Sequence, residues 1–200
     1  MKISDKTFVL LDSVKNPILW NNYQQGLKSA LVRFGVEKVA LSSVVKHNSI
    51  DTYAILSQDA ETGVALGGIR LEVKSINNIL PLEKIESTYR EIILKKITNQ
   101  ANQNGKLAEI CGLWVSAEAN GRGMGAELAL QATQLGVKLN INILVSMLPA
   151  HTLDYFLRLG FVVDQDLPKL AYPDDRYLST IVWYYVPNVE IIKNKQDIQV

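Results

Sequence analysis

Residues 107–126 read Leu107-Ala108-Glu109-Ile110-Cys111-Gly112-Leu113-Trp114-Val115-Ser116-Ala117-Glu118-Ala119-Asn120-Gly121-Arg122-Gly123-Met124-Gly125-Ala126. The stretch to Val115 is apolar and bounded by turn residues, which predicts a buried strand. Met124, Leu128, Ala132 and Leu135 then recur at helical spacing, predicting a helix that ends at Gly136. Between strand and helix stand Gly121, Gly123 and Gly125. Glycines there let the backbone approach a ligand and take positive φ. The first N–H groups of a helix lack intrahelical partners, and the helix dipole adds partial positive charge. Such a terminus accepts an anion, typically a phosphate, and Arg122 could add a charge-assisted contact.

Downstream, Ile141 to Met147 predicts a second buried strand. Pro149 suits the start of a helix that stops at Gly160. Phe161-Val162-Val163 begins a strand, Pro168 to Arg176 is a loop, and Tyr177 to Val186 is a long aromatic strand. Upstream, Thr7 to Leu11 predicts a strand. Ile18, Leu19, Tyr23, Leu27, Ala30, Leu31 and Phe34 predict a helix stopped by Gly35. Val36 to Val45 predicts another strand. Thr52 to Ser57 and Val64 to Val73 form a hairpin across Gln58-Asp59-Ala60-Glu61-Thr62-Gly63. Leu82, Ile85, Tyr89, Ile92, Ile93 and Ile97 form one helical stripe, and Asn99 to Gly105 reads as a polar loop.

This order predicts an α/β (α+β) domain over residues 1–188, with the strand and helix of residues 1–35 part of it and a polar tail over 189–200. The sheet is expected to be mixed and mostly antiparallel, flanked by helices.

The 200 residues carry 48% hydrophobic and 20% charged residues and a formal net charge of +1. That length buries a core without staples. Near-neutral charge gives no general reason to seek nucleic acid or an anionic membrane. One cysteine, Cys111, excludes an internal disulfide and a cysteine-built zinc site, and two histidines, His47 and His151, are too few for a His-rich metal site, so no metal is expected. The amino terminus lacks a signal-peptide h-region, and no apolar run nears the roughly 20 residues that span a bilayer. A cytoplasmic protein is expected.

Alone, Gly-x-Gly is a weak signal, and an ordinary tight turn produces it too. The alternating glycines do not match the dinucleotide fingerprint, and the lysine of a phosphate-binding P-loop is missing. The neighbours add specificity. Leu113-x-Val115, then Asn120-Gly121-Arg122-Gly123-Met124-Gly125-Ala126, resembles the acyl-CoA-binding motif of the GNAT superfamily of N-acyltransferases. The second strand and the ending Leu157-Arg158-Leu159-Gly160-Phe161 resemble that superfamily's next conserved stretch. Together they cover roughly the C-terminal half of the chain. Asn120 stands where the superfamily has Gln or Arg.

The resemblance implies that strands 107–115 and 141–147 run parallel and splay at their ends, and it implies acetyl-CoA or another acyl-CoA as co-substrate. Pantetheine would pair along Leu113, Trp114 and Val115, and pyrophosphate would sit on Asn120 through Ala126. It also implies a small primary amine or amino-acid-like acceptor. Glu109 matches the general base of the histone-acetyltransferase branch, and its alternation partners on the strand are Cys111, Leu113 and Val115. The bland alternative is a strand glutamate in an ion pair. The Leu113 amide would stabilise the oxyanion. Phe156 replaces the tyrosine that often protonates the leaving thiolate, with Tyr155 about 100° away around the helix, and Pro149 replaces an asparagine.

Cys111 reads as a small core residue and His151 as a surface residue. Asp174, Asp175 and Arg176 read as a turn, or as acceptor contacts by the resemblance. Gly67-Gly68-Ile69-Arg70-Leu71 and Leu80-Pro81-Leu82, with a helical insert before Leu107, are similar in layout to the acyl-homoserine-lactone and N-acyl-amino-acid synthases. That similarity implies a longer acyl chain, with acyl carrier protein as a possible donor. A rival class is an inactive CoA-binding sensor or interaction module that keeps the fold. A homodimer is left open.

Overall fold

The computed structural model describes residues 5–12, 15–36, 51–73, 80 and 85–186. The elements are β1 (Lys6–Asp12), α1 (Pro17–Arg33), β2 (Thr52–Asp59), β3 (Ala65–Val73), α2 (Ser87–Asn104), β4 (Leu107–Val115), α3 (Met124–Lys138), β5 (Ile143–Pro149), α4 (Ala150–Arg158), β6 (Val162–Val163), β7 (Leu170–Ala171) and β8 (Leu178–Tyr185). Most of the strand expected over 36–45, the start of the helical stripe at Leu82, and the 189–200 tail lie outside the described residues.

The strands form one sheet in the order β1-β2-β3-β4-β5-β8-β6, with β7 also on β8. Among the described pairs only β4 and β5 run parallel. The β2–β3 hairpin closes through its turn residues. The Asp59 carboxylate accepts the Glu61 and Thr62 amides and the Thr62 hydroxyl, and Gly63 takes φ +69.

Two helical layers cover the sheet. On one face α3 and α4 bury Leu128, Ala129, Ala132 and Phe156 against Leu66, Ile69, Leu71, Ala108, Ile110 and Leu144. On the other, α1 packs Trp20, Tyr23 and Leu27 over Leu56 and Trp114, while α2 packs Ile93 and Ile97 over Leu107, Ile143, Val145 and Trp183. The period-2 alternation of each strand serves both layers, which is why the central strands carry almost no exposed residue.

Four element assignments differ from the sequence expectation. The polar stretch from Asn99 is not a loop, because α2 runs to Asn104 and ends at Gly105, φ +89. Ile93 and Ile97 anchor that helix, and Asn and Gln cost a packed helix only tenths of a kcal/mol, about 0.5 each. Gly136 does not stop α3. It lies inside the helix, where an added Cβ would stand 2.7 Å from Leu144 Cδ2, so it is a contact glycine rather than a cap. The strand expected over 141–147 runs over Ile143–Pro149, and the expected 168–176 loop contains β7. In α2 the buried stripe is narrower than expected, with Ile92 exposed.

Gly26 on α1 lies against the Trp114 ring, where a Cβ would come within 2.1 Å of Cη2. Alanine gains about 1 kcal/mol of helix propensity. Overpacking against a buried indole costs about 1–3 kcal/mol. Gly26→Ala is therefore expected to lower stability despite its better propensity, measured as a lower urea midpoint at an unchanged m-value.

Candidate active site

The parallel pairing of β4 with β5 covers only Leu107↔Ile143, Ala108↔Leu144 and Glu109↔Val145. One step further, the Ser146 hydroxyl donates to the Ile110 carbonyl at 2.7 Å, so a side chain stands where the ladder stops. Beyond it β5 stays paired to β8 through Pro149, and β4 stays paired to β3 through Val115. The sheet is forked. On the ladder with β3, the Ser116 N–H donates to Leu66 O at 2.8 Å. By the alternation of an antiparallel ladder, the Val115 amide and carbonyl turn away from β3, toward the fork. Leu113 lies two residues back, at an irregularity of the strand where plain alternation does not carry over.

A β-bulge sits in β4. Gly68 pairs with Trp114 and Arg70 with Cys111, so Gly112 and Leu113 together face Ile69, with Gly112 at φ +59. The extra residue reverses the side-chain alternation and corrects the expected face. Glu109 and Cys111 share the α1–α2 face with Trp114, while Leu113 and Val115 point into the α3 layer. The Leu113 and Val115 side chains therefore lie behind the strand from Glu109.

Glu109 is buried, and its Oε2 accepts the Leu80 N–H at 2.9 Å. Directly across the ladder is Glu72, also buried, which forms an ion pair with buried Arg70. The Arg70 Nη2 lies 3.5 Å from Cys111 Sγ. Ligating atoms of Glu72, Glu109 and Cys111 fall within 4.8 Å of one another, with the Arg70 guanidinium among them. Burial alone would lower the Arg70 pKa, but Cys111, Tyr23 and Glu72 outweigh it and hold it above the ordinary range. Cys111, half-buried, is where this cluster approaches the surface. Glu72 was not singled out in the sequence, and Arg70 and Tyr23 entered only as parts of the Gly67–Leu71 layout and the α1 stripe. The available signal was a pair of charges at i and i+2 in an otherwise apolar strand, Ile69 to Val73.

The glycine turn leads from the fork into α3. Asn120, Gly121, Arg122 and Gly123 are exposed, whereas Met124 and Gly125 are buried and Ala126 is half-buried. Gly121 and Gly123 have φ of +74 and +77, and Gly123 is the N-cap residue, with no side-chain cap on the helix. A Cβ at either position would meet nothing within 4 Å, so the glycines keep open space in front of the first-turn amides. At Gly125 a Cβ would stand 2.9 Å from the Tyr155 ring. Tyr155 thus packs against the first turn of α3. Phe156 is buried in the core, edge-on to Phe161.

The end of α1 closes the mouth of the fork. Arg33 Nη2 donates to Val115 O at 2.8 Å, and Phe34 stacks on His151 of α4, with centroids 6.1 Å apart. The Tyr177 hydroxyl donates to Phe34 O, and Arg176, held by Asp174, donates to Gly35 O. Of the expected acceptor loop, Asp174 and Arg176 therefore act on the α1 terminus. Arg33, which the sequence did not mark, occupies one group of the edge expected to bind pantetheine. His151 keeps an exposed edge while Phe34 covers one face of its ring, and the desolvation of the covered part lowers its pKa.

No sequence-family model matches the chain. An uncharacterised protein of Mycobacterium tuberculosis is 26% identical over 179 residues, covering 84% of this chain and 65% of that protein. The chain therefore spans about two thirds of the length of the curated relatives it matches. The solved structure of FeeM, an N-acyl amino acid synthase from uncultured soil microbes, superposes with a TM-score of 0.66 at 15% identity, over 92% of each chain. The chain has the GNAT fold. An acyl-CoA N-acyltransferase of Pseudomonas aeruginosa matches the same fold with a TM-score of 0.59 at 16% identity, over 90% of this chain and 99% of that one. BjaI, a CoA-dependent acyl-homoserine lactone synthase, matches with a TM-score of 0.56 at 16% identity, over 98% and 92%. Among the described residues no helix of this GNAT domain is long and apolar enough to cross a membrane.

Proposed function

We propose that the chain is an acyl-CoA:amine N-acyltransferase that works by direct attack, with acetyl-CoA as first donor. The observation that carries the reading is the fork. A β4 edge without a strand partner leads on one side to a buried carboxylate and on the other to a helix N-terminus kept open by positive-φ glycines. Pantetheine would add to the edge as a strand does, and the pyrophosphate would sit on the amides at Gly121 to Ala126.

In the reaction, the amine nitrogen attacks the thioester carbonyl carbon, and the N–C bond forms as the oxygen becomes an oxyanion. The Leu113 N–H supports that charge. The attacking nitrogen loses a proton to Glu109, through a water where the buried carboxylate is not reached directly. The tetrahedral state collapses, the C–S bond breaks, and the thiolate takes a proton from solvent. With Phe156 in the core and without a hydroxyl, water suffices because a thiol of pKa near 8.5 is a competent leaving group.

A second reading is a long-chain donor, delivered by CoA or by acyl carrier protein, with an amino-acid-like acceptor. The overlap with FeeM across 92% of both chains favours it. Calorimetric titration with CoA, acetyl-CoA and a long-chain acyl-CoA decides between them. Micromolar binding of acetyl-CoA, at least as tight as the long chain, supports the first reading. Preference for the long chain supports the second. Binding of CoA without turnover on any amine supports the inactive sensor, and absence of binding removes the CoA-dependent readings.

A further inference from the structure

We infer that Tyr23 of α1 is a positioning residue that sets the direction of the Leu113 amide through its hydrogen bond to the Gly112 carbonyl. This deepens the N-acyltransferase reading and rests on it for its catalytic consequence.

The geometry is local. The Tyr23 hydroxyl donates to Gly112 O at 2.8 Å. That carbonyl and the Leu113 N–H are the two ends of one peptide unit, which is planar and trans. Holding one end fixes the rotation of the plane and so the aim of the other. Such control matters here because Gly112 is at φ +59 in a bulge, where the regular ladder no longer fixes the peptide.

The tyrosine has no freedom of its own. It is fully buried, with Trp20 and Trp114 rings at 5.6 and 6.4 Å. Two glycines accommodate it. A Cβ at Gly68 would stand 2.6 Å from Tyr23 Cδ2, and one at Gly112 would stand 2.4 Å from its hydroxyl oxygen. Burial keeps the phenol protonated by raising its pKa far above the ordinary value, so it remains a donor across the working range. A catalytic amide needs placement within a fraction of an ångström, and small misplacements cost about tenfold to a hundredfold in rate.

Tyr23→Phe keeps the ring and removes the donor. We expect kcat to fall about tenfold, with the Kd for CoA within about twofold of the parent. In 15N-labelled protein, the Leu113 amide resonance should shift while those of Ala108 and Ile110 stay. Gly112→Ala should lower the melting temperature, and adding Tyr23→Phe should return part of that loss by removing the clashing oxygen. An unchanged kcat, an unshifted Leu113 amide, or a loss of CoA affinity equal to the loss of kcat overturns the inference. If the parent protein acylates no amine, the proposed reaction fails, while the amide resonance and the double variant still decide the role of Tyr23.

Discussion

Gly123→Glu is expected to weaken CoA binding by on the order of a hundredfold or more while leaving the domain folded. The residue is the N-cap of α3, at φ +77, and a Cβ there meets no protein atom within 4 Å. The change therefore breaks no packing. Its structural cost is the left-handed backbone, about 1–2 kcal/mol. Its effect on the ligand is larger, because a carboxylate is placed where the first-turn amides and helix dipole would hold a pyrophosphate. Repulsion together with the lost cradle should weaken CoA by on the order of a hundredfold or more, near 3 kcal/mol. Calorimetry measures the binding, and a melting curve confirms the fold. Unaltered CoA affinity in the variant would show that the cradle holds no pyrophosphate.

Glu109→Gln is expected to lower kcat by about 10²–10⁴-fold, the contribution of a positioned general base, with CoA affinity unchanged. Substitution by glutamine suits this site because its carbonyl oxygen can still accept the Leu80 N–H that Glu109 accepts at 2.9 Å. Removing the charge leaves the buried Arg70–Glu72 pair in place. Stability should therefore change less than activity. The informative comparison is kcat against the melting temperature. A variant that melts far lower while its remaining folded fraction turns over normally would assign Glu109 to the structural ion cluster, the bland role a strand glutamate can have.

Much of this was legible in the residues. Hydrophobic periodicity marks β1, α1, the β2–β3 hairpin, β4 and α3 because each has a face or a flank that water would not tolerate. The glycine turn follows from the apolar run to Val115 and the spacing of Gly121, Gly123 and Gly125, whereas the fork was implied only by the family resemblance. What escaped depends on two elements meeting. Gly112 gives no sign of a bulge unless β3 is laid beside it, and the bulge decides which residues share a face with Glu109. Gly136 reads as a cap because a contact glycine and a stop glycine are the same letter. Arg33 and Tyr23 lie on a helix far away in the chain, and only the tertiary fold brings one to Val115 and the other to Gly112. Asn99 to Asn104 is polar enough for a loop and is helical because the turns before it are anchored in the core.

The three-residue pairing between β4 and β5 has a consequence for the life of the protein in a cell. An interrupted ladder leaves part of the β4 edge without a strand partner, met at Ile110 and Val115 only by the Ser146 and Arg33 side chains, and an edge without a strand partner can take up the wrong strand from another molecule. A co-substrate that lies along the edge removes that hazard while it is bound, and it shifts the folded population by mass action. In the proposed reading CoA would then act as a folding ligand as well as a donor. Scarcity of CoA would then lower the folded population and shorten the protein's lifetime, through aggregation and proteolysis.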